Sequence, residues 1–131
     1  MKLFASFFLV FTFLISCKSR DVSSIVGMRW VAEQISGKEV KGKSKVFIEF
    51  SDTTFQVIGK AGCNRFSCRY ILNETELTFS EINATRRSCP DMYIEAMFFK
   101  MLENANSYSI KRNKLSLKED GDIVAVFRVE D

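Results

Sequence analysis

Four cysteines and no histidine set the limits on what chemistry this chain could perform. Without imidazole it lacks the commonest general base, the Ser–His and Cys–His nucleophile pairs, and the commonest metal ligand. No Ser is followed by Lys three residues on, which removes the Ser-x-x-Lys nucleophile as well. Cys63, Cys68 and Cys89 contain no Cys-x-x-Cys pair, so no structural zinc site is expected. Asp120 and Asp122 flank a Gly but lack the other ligands of a calcium loop. Asp91 and Glu95 stand one helical turn apart; stabilising the positive end of a helix is a simpler role for them than acid–base catalysis. One enzymatic class stays open: Cys89, beside Arg86 and Arg87 at an expected helix start, would ionise readily if it were free. The alternatives are therefore a thiol-redox protein using Cys89 and Cys63, or a protein with no enzymatic activity, no cofactor and no metal.

The fourth cysteine has a different setting. Met1-Lys2 is followed by residues 3–15, apolar except for Ser6 and Thr12, and the run ends in Leu14-Ile15-Ser16-Cys17. Thirteen helical residues rise only about 20 Å, short of a hydrocarbon core of about 30 Å. A charged start, a brief apolar run and a small residue before a cut describe a secretory signal peptide. With a cysteine directly after the cut, the stretch resembles the lipobox of bacterial lipoproteins. That resemblance implies diacylation of Cys17, removal of residues 1–16, and acylation of the new N-terminus. Ordinary secretory cleavage or an uncleaved anchor are the alternatives. Two or more acyl chains hold a membrane durably where one holds it marginally. Lys18, in place of the Asp that marks inner-membrane retention in enteric bacteria, favours the outer membrane. The expected organisation is a signal peptide over 1–16, a lipidated tether over 17–26, and one folded domain over 27–131.

Losing the leader removes one of the 19 basic residues and no acid, so the net charge of +3 falls to +2, too little to argue for nucleic acid. The remaining 115 residues suit a single domain. Lys38, Lys41, Lys43 and Lys45 crowd the stretch 36–45, which reads as a solvated loop. From Met28 onward the pattern is mostly strand. Val46 to Phe50, Thr54 to Ile58 and Arg69 to Leu72 are β-branched or aromatic, while Leu77 to Phe79 and Leu115 to Leu117 alternate apolar with polar. Asp120-Gly121 signals a hairpin before Ile123 to Val129, and Asn113 a turn between Tyr108–Lys111 and Leu115–Leu117. Pro90 to Asn104 breaks the period, putting Ile94, Met97, Phe98, Met101 and Leu102 on one helical face, with Ser88 as its expected cap. The expected fold is α+β: a curved antiparallel sheet of about seven or eight strands packed on one amphipathic helix.

Three cysteines outside the lipidation point are an odd number for an oxidising compartment. A 63–89 bridge would tie the sheet to the helix entrance; a 63–68 bridge would close a tight turn; either leaves one thiol over. Gly62-Cys63-Asn64-Arg65-Phe66-Ser67 followed by Tyr70, together with Ala84-Thr85-Arg86 and Cys89-Pro90, resembles the two cysteine blocks of the META/HslJ family of small secreted or lipoprotein domains. The likeness runs over about 27–128 and takes in Gly27, Trp30, Glu95, Phe98 to Leu102, Tyr108 and Leu115 to Leu117. It implies pairing of Cys63 with Cys89. Ala61, Arg87 and Cys68 depart from the family pattern, and Cys68 is a competitor for Cys63.

The resemblance carries no catalytic residue and associates the chain with heat or envelope stress. The leading expectation is a non-enzymatic lipoprotein of the bacterial envelope. It would be held at the membrane through Cys17, with its domain in the periplasm or at the cell surface, and would bind an envelope protein or ligand as a monomer. An inhibitor of an envelope enzyme is a third class. Asn64, Arg65, Arg69 and Arg86, with Phe66, form the candidate binding surface; ordinary surface arginines beside a core Phe66 and Tyr70 are the simpler alternative.

Overall fold

A computed structural model of the chain describes residues 24–41 and 46–130. The leader, Cys17, Lys43 and Lys45 lie outside the described residues. The elements are β1 (Arg29–Ile35), β2 (Lys38–Glu39), β3 (Val46–Ser51), β4 (Gln56–Ala61), β5 (Arg65–Asn73), β6 (Glu76–Ala84), α1 (Tyr93–Asn104), β7 (Ser107–Lys111), β8 (Lys114–Glu119) and β9 (Asp122–Val129). The period of two decides which side of each strand faces inward. In β3, Val46, Ile48 and Phe50 are buried while Phe47 and Glu49 look out; in β8, Leu115 and Leu117 are fully buried.

All pairings are antiparallel in the order β2-β1-β3-β4-β5-β6-β7-β8-β9, and β1 also pairs with β9. The sheet thus curls until β1 and β3 to β9 close a ring, which removes most free strand edges. The expected class holds, with nine strands among the described residues in place of seven or eight. The ninth is β2, two residues long. Ser36 (φ 47°) and Gly37 (φ 74°) turn the chain tightly enough for Lys38 to pair with Ile35, where a loop was expected.

Two boundaries differ for steric reasons. Phe55 has φ 53° and belongs to the turn at 52–55, so β4 starts at Gln56 and continues to Ala61. The helix begins at Tyr93 instead of Pro90, Ser88 does not cap it, and Asp91 Oδ1 accepts the Tyr93 N–H at 3.0 Å. Residues 85–89 stay outside the helix, held by Asn64 and by the bridge from Cys63.

Strand directions give the ring two ends. The chain enters at Ser24, and beside that entry lie the turns at 52–55, 74–75 and 112–113. The 61–65 turn and the end of β6 lie opposite. β6 and β7 share one residue pair, Glu76 with Ser107, and α1 packs against β6, β1 and β4 where the seam opens. Phe98, Met101 and Leu102 are buried there in the same core as Trp30, Phe66 and Phe127; the Phe66 and Phe98 rings meet edge to face at 5.1 Å. Trp30 Nε1–H donates to the Ile25 carbonyl at 2.9 Å, fixing the entering chain to the core.

Gly59 is where strand and core come closest. A Cβ there would overlap the Phe47 carbonyl oxygen and stand 2.9 Å from the Phe66 ring. Gly59→Ala is expected to cost about 1–3 kcal/mol, the usual range for overpacking. A urea midpoint unchanged from the parent would refute the close packing.

Candidate functional site

The two cysteine blocks meet at the end opposite the chain entry. Gly62 (φ 121°) allows the turn out of β4, and the Ala61 N–H closes it on the Asn64 carbonyl at 2.9 Å. Beneath this turn lies Glu95 from the first turn of α1, 6% exposed. Its Oε2 accepts the backbone N–H groups of Cys63 (3.1 Å) and Asn64 (2.7 Å), and its Oε1 accepts Asn64 Nδ2–H at 2.7 Å. A buried carboxylate without a cation is tolerable only when such donors surround it.

Asn64 is the other half of the latch. Nδ2 also donates to the Arg87 carbonyl at 3.1 Å, while Oδ1 accepts the Arg87 N–H at 2.7 Å and the Thr85 hydroxyl at 2.8 Å. All four hydrogen-bonding positions of the amide are used. Its side chain pairs with Arg87 as a neighbouring strand would; the Thr85 N–H donates to the Arg65 carbonyl at 3.0 Å and the Arg65 N–H to Thr85 Oγ1 at 3.2 Å. Cys63 and Cys89 close it covalently, with Cα atoms 6.2 Å apart.

These observations sort the candidate residues. Cys63 and Cys89 pair. Cys68 is reduced and buried in β5, and burial pushes its thiol up to about 12. It acts as a small apolar core residue and does not compete for Cys63. Asn64 is a correction: it is 2% exposed and committed to Glu95, Thr85 and Arg87, so it offers nothing to a partner. Phe66 is likewise core, as is Tyr70, whose hydroxyl donates to the Ser51 carbonyl at 2.9 Å. Burial first, and then the Asp52 charge, raise the Tyr70 phenol above its ordinary value.

Arg65, Arg69 and Arg86 are exposed. Arg65 and Arg86 flank the latch; Arg69 sits about 13 Å further along β5 at ordinary strand rise, beside Glu81, and lines a different cavity. The proposed surface is therefore split. Cys89 precedes the first helical residue by four positions and is bridged, so it is not the helix-terminal thiolate that the redox alternative required.

Sequence reasoning missed Glu95 as the centre of the latch. Its signal was present: Glu95, Phe98 and Leu102 follow the 3–4 spacing of the buried stripe, and a carboxylate within such a stripe must find donors. A cavity of about 270 Å³ lies outside the bridge, between Cys63, Cys89, Ile94, Val40 and Lys41.

The sequence profile of META domains matches residues 23–131. The chain belongs to the META domain family. This META domain superposes on an NMR structure of a protein from Burkholderia xenovorans with a TM-score of 0.65, at 20% identity over 81% of this chain and 83% of that one. A second NMR structure gives 0.63, at 25% identity over 78% and 88%. Both likenesses concern the fold. No curated protein matches the chain.

Proposed function

We propose that this META domain works by binding in the bacterial envelope and not by catalysis, tethered to a membrane through lipid on Cys17. On this reading it contributes to tolerance of heat or envelope stress as a monomer engaging an envelope protein or ligand. One observation carries the non-enzymatic part. The polar groups of the latch are consumed in holding the fold: the four Asn64 positions, both Glu95 oxygens, and the Cys63 and Cys89 sulfurs, the one pair that the sequence offered for chemistry. A disulfide also fits an exported protein better than a cytosolic one. The leader ending at Cys17 supplies the route, and Lys18 favours the outer membrane. Arg65 and Arg86, exposed beside a covalently fixed loop, are the residues proposed to meet the partner.

Intact mass and fractionation test the address. The expected product lacks residues 1–16, begins at an acylated Cys17 and sediments with membranes; an unmodified Met1 terminus in the soluble fraction would overturn it. Crosslinking in envelope extracts under heat challenge tests the binding role. A stoichiometric partner should be captured, and replacing Arg65 and Arg86 together should abolish the capture. Capture unaffected by that replacement would remove the arginines from the proposal. If the captured partner were an envelope enzyme whose activity falls, the inhibitor class would be favoured.

A further inference from the structure

The end of the ring where the chain enters carries exposed apolar side chains that the core does not use. Phe55, at the tip of the β3–β4 turn, is 60% exposed; Ile71 and Leu72, at the end of β5, are 67% and 38% exposed. The left-handed backbone at Phe55 and the bond from the Tyr70 N–H to its carbonyl at 3.3 Å set this ring beside β5. Together with Val26 and Tyr70 they line an open groove of about 750 Å³, whose lining also includes Asp52, Arg69 and Glu81. Val26 is two residues from Ser24, the first described residue.

Chain length decides what lies opposite this groove. From Cys17 to Ser24 is seven residues, which span at most about 25 Å when fully extended. If Cys17 carries lipid, the bilayer surface is never further than that from the entry end, and tethering makes weak docking there effectively intramolecular. Lys111 and Arg112, both exposed, sit on the neighbouring β7–β8 turn at the same end and suit anionic headgroups. Asp52 and Glu74 on the same turns oppose deep insertion and confine contact to the headgroup layer.

We propose that this end of the META domain docks on the bilayer that holds its anchor, with Phe55, Ile71 and Leu72 in the lipid interface. The proposal rests on the lipid-anchor reading above and adds an orientation to it. The latch, with Arg65 and Arg86, then faces away from the membrane, where a partner can reach it.

The test uses the mature lipidated protein in vesicles of phosphatidylethanolamine and phosphatidylglycerol, with and without brominated acyl chains. Phe55→Trp places an indole in the patch, Ile71→Trp is a second reporter, and Lys38→Trp places one at the opposite end; buried Trp30 is common to all. Brominated lipid is expected to quench the first two at least twofold more than the third. Equal quenching of all three, or of none, in protein that floats with the vesicles overturns the docking while leaving the anchor intact. Protein that fails to float overturns the anchor and the docking with it. Crosslinking between two copies through position 55, in place of quenching, would assign the patch to self-association and overturn the proposal.

Discussion

Glu95→Ala is expected to cost this domain about 3–5 kcal/mol, because three buried or half-buried donors lose their acceptor at once and each orphaned donor costs about 1–3 kcal/mol. Asn64 is buried, so its N–H and Nδ2–H would be left without an acceptor, whereas the N–H of half-buried Cys63 can be partly rehydrated. For a domain of this size such a loss lowers the melting temperature by roughly 15–30 °C. It is also a large share of the 5–15 kcal/mol that small domains possess. Urea unfolding followed by circular dichroism measures it, and an unchanged m-value would show that stability and not the denatured state has moved. A loss below 1 kcal/mol would mean that water replaces the carboxylate and that the latch is not the centre described above. The damage should be local in structure, freeing residues 85–90 and the start of α1 before the strands.

Breaking the Cys63–Cys89 bridge, by reduction or by replacing both with Ser, is expected to cost about 3.5 kcal/mol by loop-closure entropy for a loop of this length. The two sulfurs are 26 residues apart in sequence. Because Cys63 donates its N–H to Glu95, the effects of the two changes should fall short of additive, the second costing less once the first has loosened the turn. Thiol counting on the oxidised domain reports the same bond. One thiol, Cys68, should react, and only on unfolding. Its raised value sets a pH dependence as well. The unfolded thiol begins to ionise near its ordinary value of 9.0, while the folded one resists up to about 12, so stability should be complete below pH 9 and decline above it. Cys68→Ala should flatten that decline. Three thiols reacting in the folded state would overturn the bridge.

The strands were legible wherever one face is buried and the other wet. Val46 to Phe50 is rich in β-branched and aromatic residues, Leu115 to Leu117 alternates apolar with polar, and Asp120-Gly121, at φ 49° and 90°, makes the hairpin its residue types require. The buried helical stripe was equally plain at Phe98, Met101 and Leu102. Closure of the ring was not legible. The β1–β9 pairing joins the two ends of the domain in sequence, and local alternation says nothing about which distant edge a strand meets. The β6 bulge also escaped, since Glu81 at φ 52° is an ordinary polar residue placed there by the offset between Ser67–Asn83 and Arg69–Ser80. At the candidate site, the resemblance implied the disulfide correctly. Asn64 and Glu95 were misplaced for one reason: a polar residue on a turn or a helix start reads as surface until its partner, 31 residues away, is known.

Cys68 finally bears on how the protein matures. In an unfolded chain its sulfur lies five residues from Cys63, and short loops close fastest, so an oxidant meeting the nascent polypeptide would join the wrong pair first. Insertion of β5 into the ring hides Cys68 and leaves Cys63 and Cys89 facing each other. In an oxidising compartment, correct pairing would then depend on strand assembly preceding oxidation, or on thiol–disulfide exchange afterwards.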